Sequence, residues 1–214
     1  MGLMHVDHLT FAVGPAGLAS EAQRLGDALG QRFRDGGVHP RFGTRSRILP
    51  LADDRYIEVV EVLEHPVAAK APFGQAVRAR SEMGGGWLGW VISVDDLKPF
   101  EERLNRESVP GSRRFPDGRQ LEWRQIGVKG LLSDPQLPFF MAYDSGPELR
   151  PSALGGTIRL AEIEITGVRE RVEDWLGCGI DDVFDGVRLT FGSRNGQPGI
   201  AAAVFETPKG TVRI

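Results

Sequence analysis

The sequence predicts an α+β fold of mostly antiparallel strands, built by repeating one strand–helix–strands unit. Three observations predict it. Alternating apolar runs open at residues 4–13, 87–94 and 158–166, and each is followed by a segment of helical period. Each helical segment then gives way to further short alternating runs. The rounds recur at a spacing of about 70 residues without repeating the sequence itself, so the repeat is structural. One helix per several strands favours antiparallel pairing, since parallel neighbours need long crossovers.

The first round is clearest. Leu9, Phe11 and Val13 share one face of the strand at 4–13, and His8, Thr10 and Ala12 share the other. Gly14-Pro15 ends it. Leu18, Ala22, Leu25 and Leu29 then fall at helical spacing over 18–29, with Gly30 as the stop. A short extended piece at 38–40, a strand at 44–51 and the turn Ala52-Asp53-Asp54-Arg55 lead to the strand at 56–63. Residues 64–83 read as a connector with a helix over 73–80, and Met83-Gly84-Gly85-Gly86 as a flexible joint.

The second round opens at 87–94, with Leu88, Trp90, Ile92 and Val94 on one face. Asp95 or Asp96 caps a helix over 97–106, Pro110-Gly111 ends that helix, and strands follow at 120–127 and 137–143. In the third round a strand at 158–166 and a helix at 168–176 precede strands at 187–191, 200–206 and 211–214. Asn195-Gly196 and Lys209-Gly210 are predicted hairpin turns. The expected units are 1–66, a connector at 67–86, 87–146 and 155–214.

Composition narrows the function classes. A net charge of −3 offers no reason to expect nucleic acid or an anionic membrane as partner. The longest apolar run is too short to span a bilayer, and His5, Asp7 and His8 interrupt any leader-like pattern. Cys178 stands alone, which leaves no internal disulfide framework and no Cys-rich zinc site. A reducing cytoplasm is the expected location. Gly84-Gly85-Gly86 lacks the flanking residues of a phosphate loop, and no Gly-x-Ser-x-Gly elbow occurs.

Three segments carry a family resemblance: Asp7-His8-Leu9-Thr10-Phe11-Ala12-Val13, His39-Pro40-Arg41-Phe42-Gly43-Thr44-Arg45 and Tyr56-Ile57-Glu58-Val59. Together they resemble the glyoxalase-like branch of the vicinal-oxygen-chelate superfamily, which also includes bleomycin-resistance proteins and dioxygenases. The likeness is best over 5–64, fair over 87–144 and weak beyond 155. It implies two βαβββ modules whose curved sheets enclose a shared cavity; the third, C-terminal β-rich unit comes from the strand pattern alone. It also implies a divalent cation held by the first and last strands of each module. Carried over, the metal-ligand candidates are His8 and Glu58.

The second module departs from that pattern. Aligning the strands by their core-facing residues puts Trp87 where a second His or Gln would stand, and Met141 or Ala142 where a carboxylate would stand. Two of the four ligands are missing, and three protein ligands are the usual minimum for a catalytic ion, so one divalent metal is expected to be absent or weakly held. The pocket then becomes an apolar one floored by Trp87, Phe140 and Tyr143, suited to a flat ligand.

The catalytic candidates are Glu58 and His8. His8 would bind the metal or orient a substrate oxygen, and Glu58 would act as ligand or move a proton α to a carbonyl. Candidate ligand contacts are Thr10, Arg45, Tyr56, Trp87, Glu122, Arg124, Phe140 and Tyr143. Arg45 and Arg47 suit bidentate binding of a carboxylate or phosphate, or equally the charged surface of an edge strand. Glu122 and Arg124 suit a mutual ion pair as well. His39 and His65 read as structural, and Glu61 as a rim or ion-pair residue. Two main readings follow: a glyoxalase-like lyase, isomerase or dioxygenase acting on a small oxygenated substrate, or a non-enzymatic protein that sequesters an antibiotic-like aromatic molecule. A third is a regulatory module whose last unit forms a homodimer interface.

Overall fold

The computed structural model describes residues 4–181, 183–192 and 196–214. Asn195 of the expected turn at Asn195-Gly196 lies outside them. The fold is α+β, with two curved sheets and few helices. The first unit contains β1 (His5–Ala12), α1 (Gly17–Leu29), β2 (Arg34–His39), β3 (Thr44–Pro50) and β4 (Tyr56–Val62). Helices α2 (Pro66–Lys70) and α3 (Pro72–Glu82) follow. The second unit contains β5 (Gly86–Ser93), α4 (Lys98–Leu104), β6 (Val109–Arg114), β7 (Gln120–Ile126), α5 (Gly130–Ser133) and β8 (Phe139–Tyr143). The third contains β9 (Arg159–Thr166), α6 (Arg169–Leu176), β10 (Val183–Phe184), β11 (Val187–Gly192), β12 (Gly199–Thr207) and β13 (Gly210–Arg213).

Strands β1 to β8 close into a barrel in the order β1-β4-β3-β2-β6-β7-β8-β5. In each barrel unit the first strand runs parallel to the last, β1 with β4 and β5 with β8, and the other pairs are antiparallel. The two units join along the β1–β5 ladder and again at the pair Val38–Arg114 between β2 and β6. The third unit forms its own sheet, β10-β11-β9-β12-β13.

Apolar layering explains the arrangement. Val6, Leu9, Phe11 and Val13 point outward from β1 and pack under Leu18, Ala22, Leu25 and Leu29 of α1. The same outer layer continues over Trp90, Ile92 and Phe140 to the third unit, where it meets Trp175, Leu189 and Phe205. Trp90 and Trp175 donate their indole N–H groups to the carbonyls of Gln136 and Pro138, at 3.0 and 2.7 Å. Buried tryptophans thus satisfy their polar atom while filling volume.

A second apolar cluster lies inside the barrel. Phe73, Ala76 and Val77 of α3 pack there with Ala12, Val60, Leu88 and Leu131. The segment between the units is therefore a plug over one stretch of the barrel interior. Its glycine joint is a tight turn: Gly84, Gly85 and Gly86 all have positive φ, and a Cβ on Gly85 would lie 2.5 Å from the Gly14 nitrogen.

Three sequence expectations change here. The helix ends before Pro110-Gly111, but that pair lies within a further strand, β6, which was not expected. Proline is tolerated there because β6 pairs with β2 only at Arg114, so the missing N–H falls on an open stretch of edge. Gly111 is required by close approach, since a Cβ would sit 2.3 Å from the Trp123 indole. On β5, a register shift between the pairs Thr10–Gly89 and Phe11–Trp87 slips the alternation by one residue. Trp87 consequently faces outward against Phe11 and Phe205 and donates to the Ile214 carbonyl at 3.0 Å, while Leu88 faces in. On β8 the inward residues are Phe139, Met141 and Tyr143; Phe140 points out, 4.4 Å from the Phe100 ring centre. Among the described residues no helix is long and apolar enough to cross a membrane.

Candidate functional site

The barrel encloses a small cavity lined by His8, His39, Tyr56, Glu58, Arg113, Trp123, Gln125, Phe139 and Tyr143, with Phe42, Phe73, Leu121 and Met141. It has room for little more than a water molecule. The polar groups come from both units and converge on it.

The first group is a dyad. A register shift between Val6–Ile92 and His8–Val91 makes Asp7 the bulged residue of β1, and bulges re-aim side chains. Asp7 thereby reaches the same buried region as His8, and His8 Nδ1 lies 2.6 Å from Asp7 Oδ1. The Tyr143 hydroxyl donates to both Asp7 oxygens, at 3.1 and 3.2 Å. Asp7 is 4% and His8 5% exposed, so this pair is desolvated. An aspartate on Nδ1–H selects that tautomer and leaves Nε2 as the basic nitrogen. The His8 ring stacks on Tyr56 with centres 4.3 Å apart, and burial pushes the Tyr56 hydroxyl well above its usual range.

The second group is an ion pair. Glu58 on β4 pairs with Arg113 on β6, and His39 Nε2 lies 3.4 Å from the same carboxylate. Burial alone would raise the Glu58 pKa. The Arg113 guanidinium and then His39 outweigh it and hold the carboxyl well below the carboxylate range. Burial lowers the His39 pKa, against the pull of Glu58, and Thr44 Oγ1 lies 2.9 Å from its Nδ1. Arg113 is 2% exposed, yet its Nε and Nη1 have no hydrogen-bond partner. An unpaired buried donor costs about 1–3 kcal/mol, and Arg113 lines the cavity.

A divalent metal does not fit these residues. Among the described residues no group of three or more His, Cys, Asp or Glu side chains is placed to hold one. Glu58, half of the expected ligand pair, is engaged by a guanidinium, whose charge repels a second cation. The second unit adds nothing. His8 pairs with Tyr56 and Glu58 follows two residues on; Val91 pairs with Phe139 and Met141 follows two residues on. The counterparts of His8 and Glu58 are therefore Val91 and Met141, and Trp87 is not in that position.

The structure brings His8, Tyr56, Glu58 and Tyr143 together as expected cavity residues. Thr10 shares their side of β1 and is buried, with Oγ1 lacking a partner, but it does not line the cavity. Five expected contacts are elsewhere. Trp87 and Phe140 belong to the outer layer. Arg45 is on the surface, paired with Glu61 at 2.6 Å. Glu122 and Arg124 are exposed and do not pair with each other: Glu122 accepts from Gln120, and Arg124 donates to Ser108. They alternate with Leu121 and Trp123, which take the inward face of β7. Sequence reasoning missed Asp7, Arg113 and Gln125. His39, read as structural, ends β2 inside the barrel.

Residues 6–177 match the family model described as a glyoxalase-like domain. The chain belongs to that family. Among solved structures, this glyoxalase-like protein is similar to a hypothetical protein from Staphylococcus aureus, with TM-score 0.64 and 15% identity, covering 99% of this chain and 86% of that one. It is also similar to methylmalonyl-CoA epimerase from Mycobacterium tuberculosis, with TM-score 0.43 and 16% identity over 68% of this chain and 90% of that one. The first likeness is one of fold, and the second carries no argument about chemistry. No curated protein matches the sequence.

The buried ionisable pair sets a pH dependence. His39 has a folded pKa below the ordinary 6.5, so the unfolded chain binds the extra proton first as pH falls. Glu58 has a folded pKa far below the ordinary 4.5, so its contribution is present above that value and fades below it. Urea titrations at stepped pH should show stability falling below about 6.5 and again, more steeply, below about 4.5. His39→Gln should flatten the first fall only. A flat profile from neutrality to pH 5 would rule out a buried neutral His39.

Proposed function

We propose that this glyoxalase-like protein is an isomerase or lyase that binds a small oxygenated molecule by its carboxylate or enolate-like oxygen and moves a proton on it. Arg113 supplies the cation that meets the oxyanion, through the two buried nitrogens that lack protein partners. That observation carries the reading. Glu58 fixes the guanidinium in place. The Asp7-held His8 takes the proton from the adjacent carbon at Nε2. The electron pair of that bond moves onto the oxygen facing Arg113, and His8 returns the proton to complete an isomerisation. Asp7 stabilises the imidazolium formed between the two steps. Tyr56 and Phe139 hold the His8 ring from its face and its edge.

A panel of small carboxylates and 2-oxo acids tests the binding step by thermal shift. A ligand at about one hundred times its Kd adds about 2.7 kcal/mol, which raises the melting temperature by roughly 5–10 °C for a chain of this size. Arg113→Lys retains the charge but not the donor fork, and should abolish most of the shift. An anion panel that leaves wild-type melting unchanged would sink the reading. Binding without proton exchange in heavy water would favour sequestration over catalysis.

A further inference from the structure

A second, larger cleft of about 690 Å³ opens against the inner cavity. It is built from the turn after β2, the start of α3, the turn before β6 and the segment after β7, so both barrel units contribute. Phe42, Phe73 and Gln125 line both spaces and form the wall between them. The two phenyl rings lie 5.4 Å apart. Gln125 is 3% exposed, and its Oε1 accepts from the Trp123 indole at 2.8 Å, which leaves its amide nitrogen as the donor at the passage.

The outer cleft is charged in one sense. Arg41, Arg106 and Lys129 stand around its apolar floor, against Glu107 as its only carboxylate. None of the three cations is in an ion pair among the described residues; Arg106 lies over the Trp175 ring at 5.2 Å. A one-signed rim on an apolar cleft attracts an anion with an apolar body. The inner cavity meanwhile has room for little more than a water molecule, so a ligand that reaches Arg113 must displace the Phe42–Phe73 wall and leave most of its length in the outer cleft.

We infer that the ligand is an elongated molecule with two anionic ends. Its head meets Arg113 inside the barrel, its apolar middle crosses the Phe42–Phe73 wall by parting the two rings, and a second carboxylate or phosphate is held at Arg41, Arg106 and Lys129. This rests on the head-group site proposed above, and the test separates the two.

Calorimetry on the full chain compares straight-chain monocarboxylates with α,ω-dicarboxylates of the same length. At the length that spans the passage the dicarboxylate should bind about tenfold more tightly, the effect of one added charge-assisted contact. A triple change of Arg41, Arg106 and Lys129 to Gln should erase that advantage and leave monocarboxylate affinity unchanged. Added salt should reduce the advantage likewise, because the rim is exposed. A matched ω-phosphonocarboxylate binding more tightly than the dicarboxylate assigns a phosphate to the rim, and weaker binding assigns a carboxylate. Equal binding of mono- and dianions at every length overturns this inference and leaves the Arg113 site standing. Failure of both series to bind overturns both.

Discussion

Arg113→Met should lower folding stability by about 3–5 kcal/mol, the usual cost of stripping the partner from a buried ion pair. The reason is Glu58. It is 3% exposed, and without Arg113 its carboxylate keeps only the contact with His39 at 3.4 Å. Glu58 would then titrate higher than in the wild type, since Arg113 is the largest influence holding its pKa down against burial. The loss should therefore shrink as pH falls, the reverse of the wild-type trend. Glu58→Gln in the Arg113→Met background should recover most of the stability, because a neutral amide replaces the uncompensated charge. It should not recover anion binding. Urea unfolding of the single and double variants, beside calorimetry with a bound carboxylate, reads the two effects apart. A cost below about 1 kcal/mol for the single change would show that the pair is not desolvated as described.

Asp7→Asn should slow proton exchange on a bound substrate by a factor of about 10²–10⁴, the range expected for loss of a positioned base. The asparagine is nearly isosteric, so the Tyr143 hydroxyl keeps an acceptor and the bulge keeps its shape. What changes is the His8 ring. With no carboxylate on Nδ1 the tautomer is no longer selected, and the imidazolium loses its counter-charge. Ligand affinity should change little, because Arg113 is untouched. Proton NMR in heavy water measures the exchange. His8→Gln should remove the same rate altogether. Wild-type exchange in Asp7→Asn would take His8 out of the mechanism.

How much of this was legible in the chain follows from how each residue reaches the cavity. His8, Tyr56 and Glu58 were legible because each sits in a regular strand, where alternation alone decides the face. Asp7 and Trp87 were not, because each lies at a register shift in the β1–β5 ladder. A bulge moves a residue to the other face without leaving a mark on apolar periodicity. Arg113 was hidden differently. Pro110-Gly111 reads as a helix stop, and only the open edge of β6 and the Trp123 ring against Gly111 explain why a strand runs through it. His39 was hidden by a short, glycine-containing strand whose pairing with β3 is not visible in its own residues.

The sequence by itself determined the fold class, the repeated unit, and the inward face of β1 and β4. Those follow from local period and from turn residues, which act over a few positions. Tertiary structure decided the chemistry. The Glu58–Arg113 pair joins residues 55 positions apart in different units. The same closure that joined them put a guanidinium where a metal was expected and turned Trp87 and Phe140 outward to the third unit. Barrel closure and ladder register set those contacts, and neither is written in any local stretch of the chain. The His8–Glu58 pair thus lines the inner cavity, while Asp7 and Arg113, found only through pairing, give its two halves their proposed roles.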